Sequence, residues 1–388
     1  MSLIDEISPL ARDAPESGIV AVVNHARLRD DLIPLWVGEG DLPTPDFISN
    51  AAIRSLQAGN TFYTWQRGIP PLRAALADYH SRHFGGLHVP ENFYVTGSGM
   101  QAIKLSIEAI CPPGGDVVYT TPAWPNISAA LGIAGAGAVP VRLDYGAAGW
   151  SLDVRRLAEA ITPATRALFI NTPSNPTGWV ASETDIRAIL ELARRHGLWI
   201  IADEIYSRFY YHGARAPSFL DVMEDDDRIV FVNTFSKNWS MTGWRMGWLR
   251  APTALGQVFE NLIQYSTSGV PQFLQDGAVA ALNEGDAYVE EQKRRAVAAR
   301  DILAQALLAT DRVRLVPPAG SFYLFFSIEG LEDTQAAALR LVDETGVGLA
   351  PGTAFGLGGE AFFRACFLRR ADQVEDAARR LTRYLTEL

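Results

Sequence analysis

At 388 residues, with 48% hydrophobic and 20% charged side chains, the chain has a globular composition and length for two or three domains of roughly 100 to 200 residues. A formal charge of −10 and the lack of any Lys/Arg-rich block argue against a nucleic-acid surface, which needs clustered cations. Two distant cysteines, Cys111 and Cys366, support neither a disulfide framework nor a thiolate metal site. They fit a reducing cytoplasm. The opening stretch has neither the basic start nor the apolar core of a signal peptide, and no run approaches the roughly 18 apolar residues of a membrane span.

The first fifty residues are irregular and proline-rich. Leu35 to Pro45 (LWVGEGDLPTP) ends in a helix start, with Thr44 as N-cap, Pro45 at the first helical position and Gly59 as the stop. Tyr63 follows, reading as a half-buried aromatic, and then Gly68-Ile69-Pro70. From Asn92 onward apolar, β-branched runs alternate with helical patterns: NFYVTG, DVVYT, RALFIN, LWIIAD and RIVFVN as strands, SGMQAIKLSIEAI as an amphipathic helix. The alternation predicts an α/β fold with a mostly parallel central sheet covered by helices on both faces. Ligands in such sheets sit at the carboxyl ends of the strands. Beyond Pro252 the chain turns helical; Gly285 to Thr310 is long enough to bridge two domains, and a smaller α+β pattern starts at Val313.

Chemistry-bearing residues gather at the predicted strand ends. Gly97-Ser98-Gly99-Met100-Gln101-Ala102 leaves a strand and opens a helix, so its free amides and the helix dipole make an anion seat. By letters it is also G-x-G-x-x-A, a dinucleotide fingerprint, which calls for an acidic residue about twenty positions on at the end of the next strand. Asp116 has the spacing but stands at the wrong end of its strand to reach a ribose. Trp124 lies in a proline-stiffened loop, TPAWPN. Asn171 to Gly178 (NTPSNPTG) turns directly after RALFIN, and Ser182-x-x-Asp185 leads into the next helix. Asp203 ends LWIIAD, with Tyr206 three residues on; a carboxylate there is expensive unless it meets a cation.

In Phe231 to Trp248 (FVNTFSKNWSMTGWRMGW) the strand RIVFVN delivers Thr234, Ser236 and Lys237, and Arg245 follows eight residues after the lysine. A lysine in a partly dry pocket drops from about 10.4 toward roughly 7 to 8 and becomes a usable nucleophile. A guanidinium beside two hydroxyls suits a phosphate dianion. Together they suggest an aldehyde cofactor that carries a phosphate. Further on, Pro317 to Ser327 (PPAGSFYLFFS) is a loop and a strand, Ala350 to Gly356 (APGTAFG) a glycine-rich loop, and FFRACFL a strand with one arginine, Arg364, among apolar neighbours. A buried arginine needs a planar anion, either a substrate carboxylate or an internal Asp or Glu.

Seven of these windows, in order from Gly38 to Arg364, resemble the class I/II aminotransferases, fold-type-I enzymes that use pyridoxal 5′-phosphate (PLP). The resemblance covers nearly the whole chain. It implies that Lys237 forms the Schiff base with PLP and later moves the substrate's proton, and that Thr234, Arg245, Ser98, Gly99 and Met100 hold the phosphate. Asp203 then partners the pyridinium, Asn175 and Tyr206 donate to the phenolic oxygen, and Trp124 stacks on the ring. Arg364 takes the substrate carboxylate, with Gly38, Trp124 and Asn175 beside the substrate; Gly40 stands where the family carries a proline. Tyr63 reaches the phosphate of the partner subunit. The resemblance further implies a homodimer, a large cofactor-binding domain over 46–284, a small domain made of 1–45 and 285–388, and ping-pong transfer of an amino group between an L-amino acid and a 2-oxo acid.

Related enzymes on this fold eliminate at Cβ or Cγ, or decarboxylate, with the same cofactor contacts. A PLP-sensing regulator would need a DNA-binding domain, for which the short acidic N-terminal segment leaves no room. His80, His83 and His88 cluster without a metal-ligand pattern. Substrate specificity stays open: Arg67 suits an acidic side chain, Trp36 and Trp65 an apolar one.

Overall fold

The computed structural model describes residues 2–388. Its larger sheet has seven strands: β1 (Phe93–Thr96), β2 (Asp116–Thr121), β3 (Gly137–Arg142), β4 (Thr165–Asn171), β5 (Trp199–Asp203), β6 (Ile229–Thr234) and β7 (Gly247–Arg250), in the order β1-β7-β6-β5-β4-β2-β3. All neighbours run parallel except β7, which is antiparallel to both β1 and β6. Strand β6 is buried along its whole length, as are the apolar positions of β4 and those of β5 after Trp199, because helices cover both faces. The expected mostly parallel sheet is therefore present. The exception, β7, falls inside the Trp-rich stretch after Lys237, where four residues gave no strand pattern of their own.

Register brings the strand ends together. Asn171 is paired with Asp203 across β4 and β5, and Gly247 faces both Thr96 and Thr234. A side chain at Gly247 would place its Cβ 2.7 Å from the backbone of Ser98 and Gly99. Glycine there lets the start of helix α4 (Gly99–Ile110) rest on the sheet edge.

Before α4 the chain forms α1 (Gly18–Ala26), α2 (Asp46–Gln57) and α3 (Pro70–Phe84). The start of α2 differs from expectation by one residue. Pro45 occupies the cap position, and the Thr44 hydroxyl donates instead to Ser240 O at 2.7 Å. Gly59, just past the end, has φ +83° and stops the helix as expected. Helix α5 (Glu183–His196) starts with the anticipated Ser182/Asp185 capping box.

After α6 (Gln272–Glu284), the long α7 (Asp286–Leu308) leads to a four-stranded sheet of β8 (Val313–Arg314), β9 (Tyr323–Ile328), β10 (Ala350–Pro351) and β11 (Phe362–Cys366), ordered β8-β9-β11-β10. Helices α7 and α8 (Ala371–Glu387) pack together beside it. Its core also takes Val22, Ala26, Leu35 and Trp36 from the N-terminal segment, and Tyr206 and Phe209 from the loop after β5. Ring contacts of Phe322 with Tyr206 (5.2 Å) and Phe209 (5.1 Å) fasten this sheet to the larger one, directly over the carboxyl ends of its strands. Among the described residues no helix is long and apolar enough to cross a membrane.

Candidate active site

A cavity of about 500 Å³ lies between the two sheets, within the range of small-molecule sites. Its floor is the set of strand ends just described. At the end of β6, Thr234 Oγ1 accepts from the Ser236 amide at 3.1 Å and caps the short helix Phe235–Asn238, which turns Lys237 into the cavity. Lys237 is half-buried, and its Nζ donates to Gly38 O at 2.6 Å. Burial lowers its pKa to about 8, against the opposing pull of Cys366 and Glu39. The amine is thus far easier to deprotonate than an ordinary lysine.

An anion seat forms beside it. The Ser98 hydroxyl accepts from the Gln101 amide at 3.0 Å and so caps α4, while Gly99 and Met100 line the cavity with first-turn amides that have no helical acceptor. Thr234 and Ser236 bring hydroxyls 2.9 Å apart. Arg245 lines the same edge; its backbone is left-handed at φ 51°, unusual for arginine, and its Nη1 donates to Thr242 O at 2.7 Å. Arginine, two hydroxyls and a helix N-terminus suit a phosphate dianion.

On the opposite side stands Asp203, 2% exposed. Its carboxylate accepts a long bond from the Ile205 amide, 3.4 Å, with the Asn171 side chain beside it, and has no ion-pair partner among the described residues. Burial raises its pKa to about 7. A carboxylate left like this calls for a cation. The turn after β4 is braced by Asn171, whose Nδ2 donates to Asp203 O at 3.1 Å and whose Oδ1 accepts from the Asn175 amide at 2.8 Å. Tyr206 is buried, its hydroxyl 2.8 Å from that of Tyr323.

Arg364 closes the cavity from β11. Nη1 donates to Asn175 Oδ1 at 2.9 Å, Nη2 donates to Trp36 O, and Nε has no partner. The guanidinium lies 4.6 Å from the Tyr323 ring and 4.9 Å from the Phe355 ring. No Asp or Glu pairs with it among the described residues, so the internal ion pair that the sequence left open is not formed. Gly38 sits close by: a Cβ there would come 2.6 Å from the Tyr323 hydroxyl.

The sequence-predicted residues Gly38, Gly99, Met100, Trp124, Asn175, Asp203, Tyr206, Thr234, Lys237, Arg245 and Arg364 therefore all line one cavity, with Ser98 just beneath it. Tyr63 does not join them within one chain. It is 93% exposed, which corrects the reading as a half-buried aromatic. Arg67 and Trp65 also lie outside: Arg67 pairs with Glu260 at 2.7 Å, and Trp65 is 65% exposed. Asn171 and Tyr323 were missed. Asn171 was hidden by the longer motif it begins; Tyr323 is, with Ser327, one of two hydroxyls in an otherwise apolar strand and the only one of them that is buried, a signal that it needs a polar partner. Asp116 opens β2 at the edge remote from the cavity, against a dinucleotide site. The histidines have structural partners: His80 accepts from Trp248 Nε1 at 3.1 Å, and His83 meets Asp286 at 3.0 Å. Among the described residues no group of three or more His, Cys, Asp or Glu can hold a metal.

The family description "Aminotransferase class I and II" matches residues 30–381. The chain belongs to this family. An arginine–pyruvate transaminase of Pseudomonas aeruginosa is 34% identical over 366 residues, 92% of this chain and 91% of that protein. A probable aspartate/prephenate aminotransferase of Aquifex aeolicus is 31% identical over 385 residues, 97% of each. Among solved structures, an alanine aminotransferase from Pyrococcus furiosus superposes with a TM-score of 0.92 at 25% identity, covering 98% of this chain and 100% of that one. The protein is accordingly a PLP-dependent aminotransferase of fold type I, which moves an amino group between an amino acid and a 2-oxo acid. Nothing in these relatives supports elimination or decarboxylation. The residues present fit PLP: a lysine amine for its aldehyde, an uncompensated buried carboxylate for its ring nitrogen, and an anion seat for its phosphate.

Proposed function

We propose that Lys237, Asp203 and Arg364 carry the transamination, in a site that a second copy of the chain completes. The observation behind this reading is their meeting in one cavity, each lacking the ordinary partner its charge or lone pair would want. PLP, when bound, supplies an electron-withdrawing ring that acidifies the Cα–H bond of a bound amino acid. Lys237 Nζ would hold the cofactor's aldehyde, and as a neutral amine it would take the Cα proton of a bound amino acid, for which a pKa near 8 is well placed. Asp203, the only carboxylate in the cavity wall among the described residues, would keep a proton on the ring nitrogen.

Arg245, Thr234, Ser236 and the Ser98–Met100 amides would hold the phosphate, Trp124 would cover the ring, and Asn175 and Tyr206 would donate to the phenolic oxygen. Asn175 can do so because Arg364 occupies its Oδ1 and leaves its Nδ2 free to donate. Arg364 and Gly38 receive the substrate's carboxylate end. Dimerisation is supported by the exposure of Phe62 (83%), Tyr63 (93%) and Trp65 (65%), an aromatic stretch suited to burial against a second copy, where Tyr63 would reach the neighbouring phosphate. The domain division proposed is 46–284 for the large domain and 1–45 with 285–388 for the small one, in keeping with the two sheets and their cores. The free, buried Cys111 and Cys366 agree with a cytoplasmic enzyme.

Borohydride reduction of the PLP-loaded protein, followed by peptide mapping, tests the central assignment. The pyridoxyl group is expected on Lys237, and Lys237→Ala is expected to purify without covalent cofactor and to lose transamination. A label on another lysine refutes it.

A further inference from the structure

The cavity wall not committed to the cofactor or to the substrate's carboxylate carries no charge. Among the described residues its only charged members are Lys237, Arg245, Arg364 and Asp203, and each already has a role in the reading above. What remains toward α1 is apolar: Ile19, Val23, Trp36 and Val37. Ile19 and Val23, four residues apart on α1, border the cavity and also pack against the smaller sheet's core, in which Val22 and Ala26 are fully buried. Trp36 is held in place on two sides. Its ring occupies space that a Cβ on Gly348 would invade, and its carbonyl accepts from Arg364.

That second contact links the wall to the substrate. A carboxylate gripped by Arg364 lies next to Trp36, so the side chain of the same amino acid reaches the apolar wall. Among the described residues that line it no free cation waits for a distal carboxylate, since Arg67 is paired with Glu260 outside the cavity. Among the described residues that line the cavity, none besides Asp203 is an anion for a basic side chain. Burying an unpaired charge is costly, whereas an apolar side chain gains by leaving water.

We propose that the amino donor carries a large apolar side chain, seated against Ile19, Val23, Trp36 and Val37. The inference rests on the transaminase reading with Arg364 as the carboxylate site. Its test mixes the PLP-loaded full chain with leucine, phenylalanine, aspartate, glutamate or arginine and follows loss of the cofactor's absorbance in single half-reactions. Leucine and phenylalanine are expected to exceed the charged amino acids in kcat/KM by on the order of a hundredfold or more. In a turnover-free arm, 4-methylpentanoate is expected to raise the Tm of the PLP form and succinate to leave it unchanged. Conversion led by aspartate, glutamate or arginine overturns this proposal alone and means that a charge from a second copy faces the side chain. Failure to convert any of them overturns this proposal, and borohydride labelling of Lys237 then decides separately whether the reading of the site stands.

Ile19→Arg supplies the missing cation and is expected to raise the aspartate-to-leucine ratio at least tenfold and to let succinate stabilise the protein. Val23→Lys makes the same comparison should Ile19→Arg fail to fold. An unchanged ratio in a folded, PLP-loaded variant overturns the seat.

Discussion

Replacing Arg364 by lysine keeps the positive charge and changes only its geometry. Arginine has five N–H donors in one plane; here two are used, toward Asn175 Oδ1 and Trp36 O, and Nε is left without a partner. The rings of Tyr323 and Phe355, 4.6 and 4.9 Å from Cζ, hold that plane. Lysine offers a single ammonium at the end of a shorter reach. It can keep one charge-assisted bond to a substrate carboxylate but loses the second, worth roughly 1.5 to 3 kcal/mol. The weaker ring contact adds about 0.5 to 1 kcal/mol. The sum, about 2 to 4 kcal/mol, corresponds to a loss of roughly 30- to 700-fold in kcat/KM. Because both substrates carry the same carboxylate, amino-acid and oxo-acid half-reactions, measured separately by stopped-flow absorbance, are expected to fall together. PLP affinity is expected to stay as it was. A variant that unfolds, or that sheds PLP while each bound cofactor turns over normally, would refute the assignment and make Arg364 a structural residue.

Asp203→Asn preserves shape and removes the charge; PLP is expected to bind, with turnover down by more than about a hundredfold, and near-normal turnover would mean that Asp203 only shapes the loop. Uptake of PLP by the cofactor-free protein is expected to follow the neutral fraction of Lys237. With a pKa of about 8, that fraction is about one in eleven at pH 7 and half at pH 8, so the rate should rise about fivefold over this unit and less than twofold above it. A rate still climbing tenfold per unit beyond pH 9 would mean an ordinary lysine. The same depressed pKa implies that the cofactor-free fold has this stabilisation in full above about pH 10.5 and loses it as pH falls through about 8.

Local signals were enough for much of this protein. The β-branched runs, the helix start at Ser98, the capping box at Ser182 and the polar turn from Asn171 to Gly178 are windows of a few residues whose physics is complete within the window. Since a parallel sheet exposes its chemistry at the strand ends, finding the strands meant finding most of the candidate site, Lys237, Asp203 and Asn175 among it. The remainder depended on partners far along the chain. Thr44 caps no helix because its hydroxyl meets Ser240, and Arg364 lacks an acidic partner because the fold gives it Asn175 and Trp36. Strand β7 exists only through pairing with β1 and β6 on either side. Tyr323 and Asn171 became site residues once the smaller sheet settled over the larger one, and Ile19 and Val23 once α1 packed against that cavity. A side chain's neighbours across tens or hundreds of residues are selected by packing of the whole chain, and no single window carries that information.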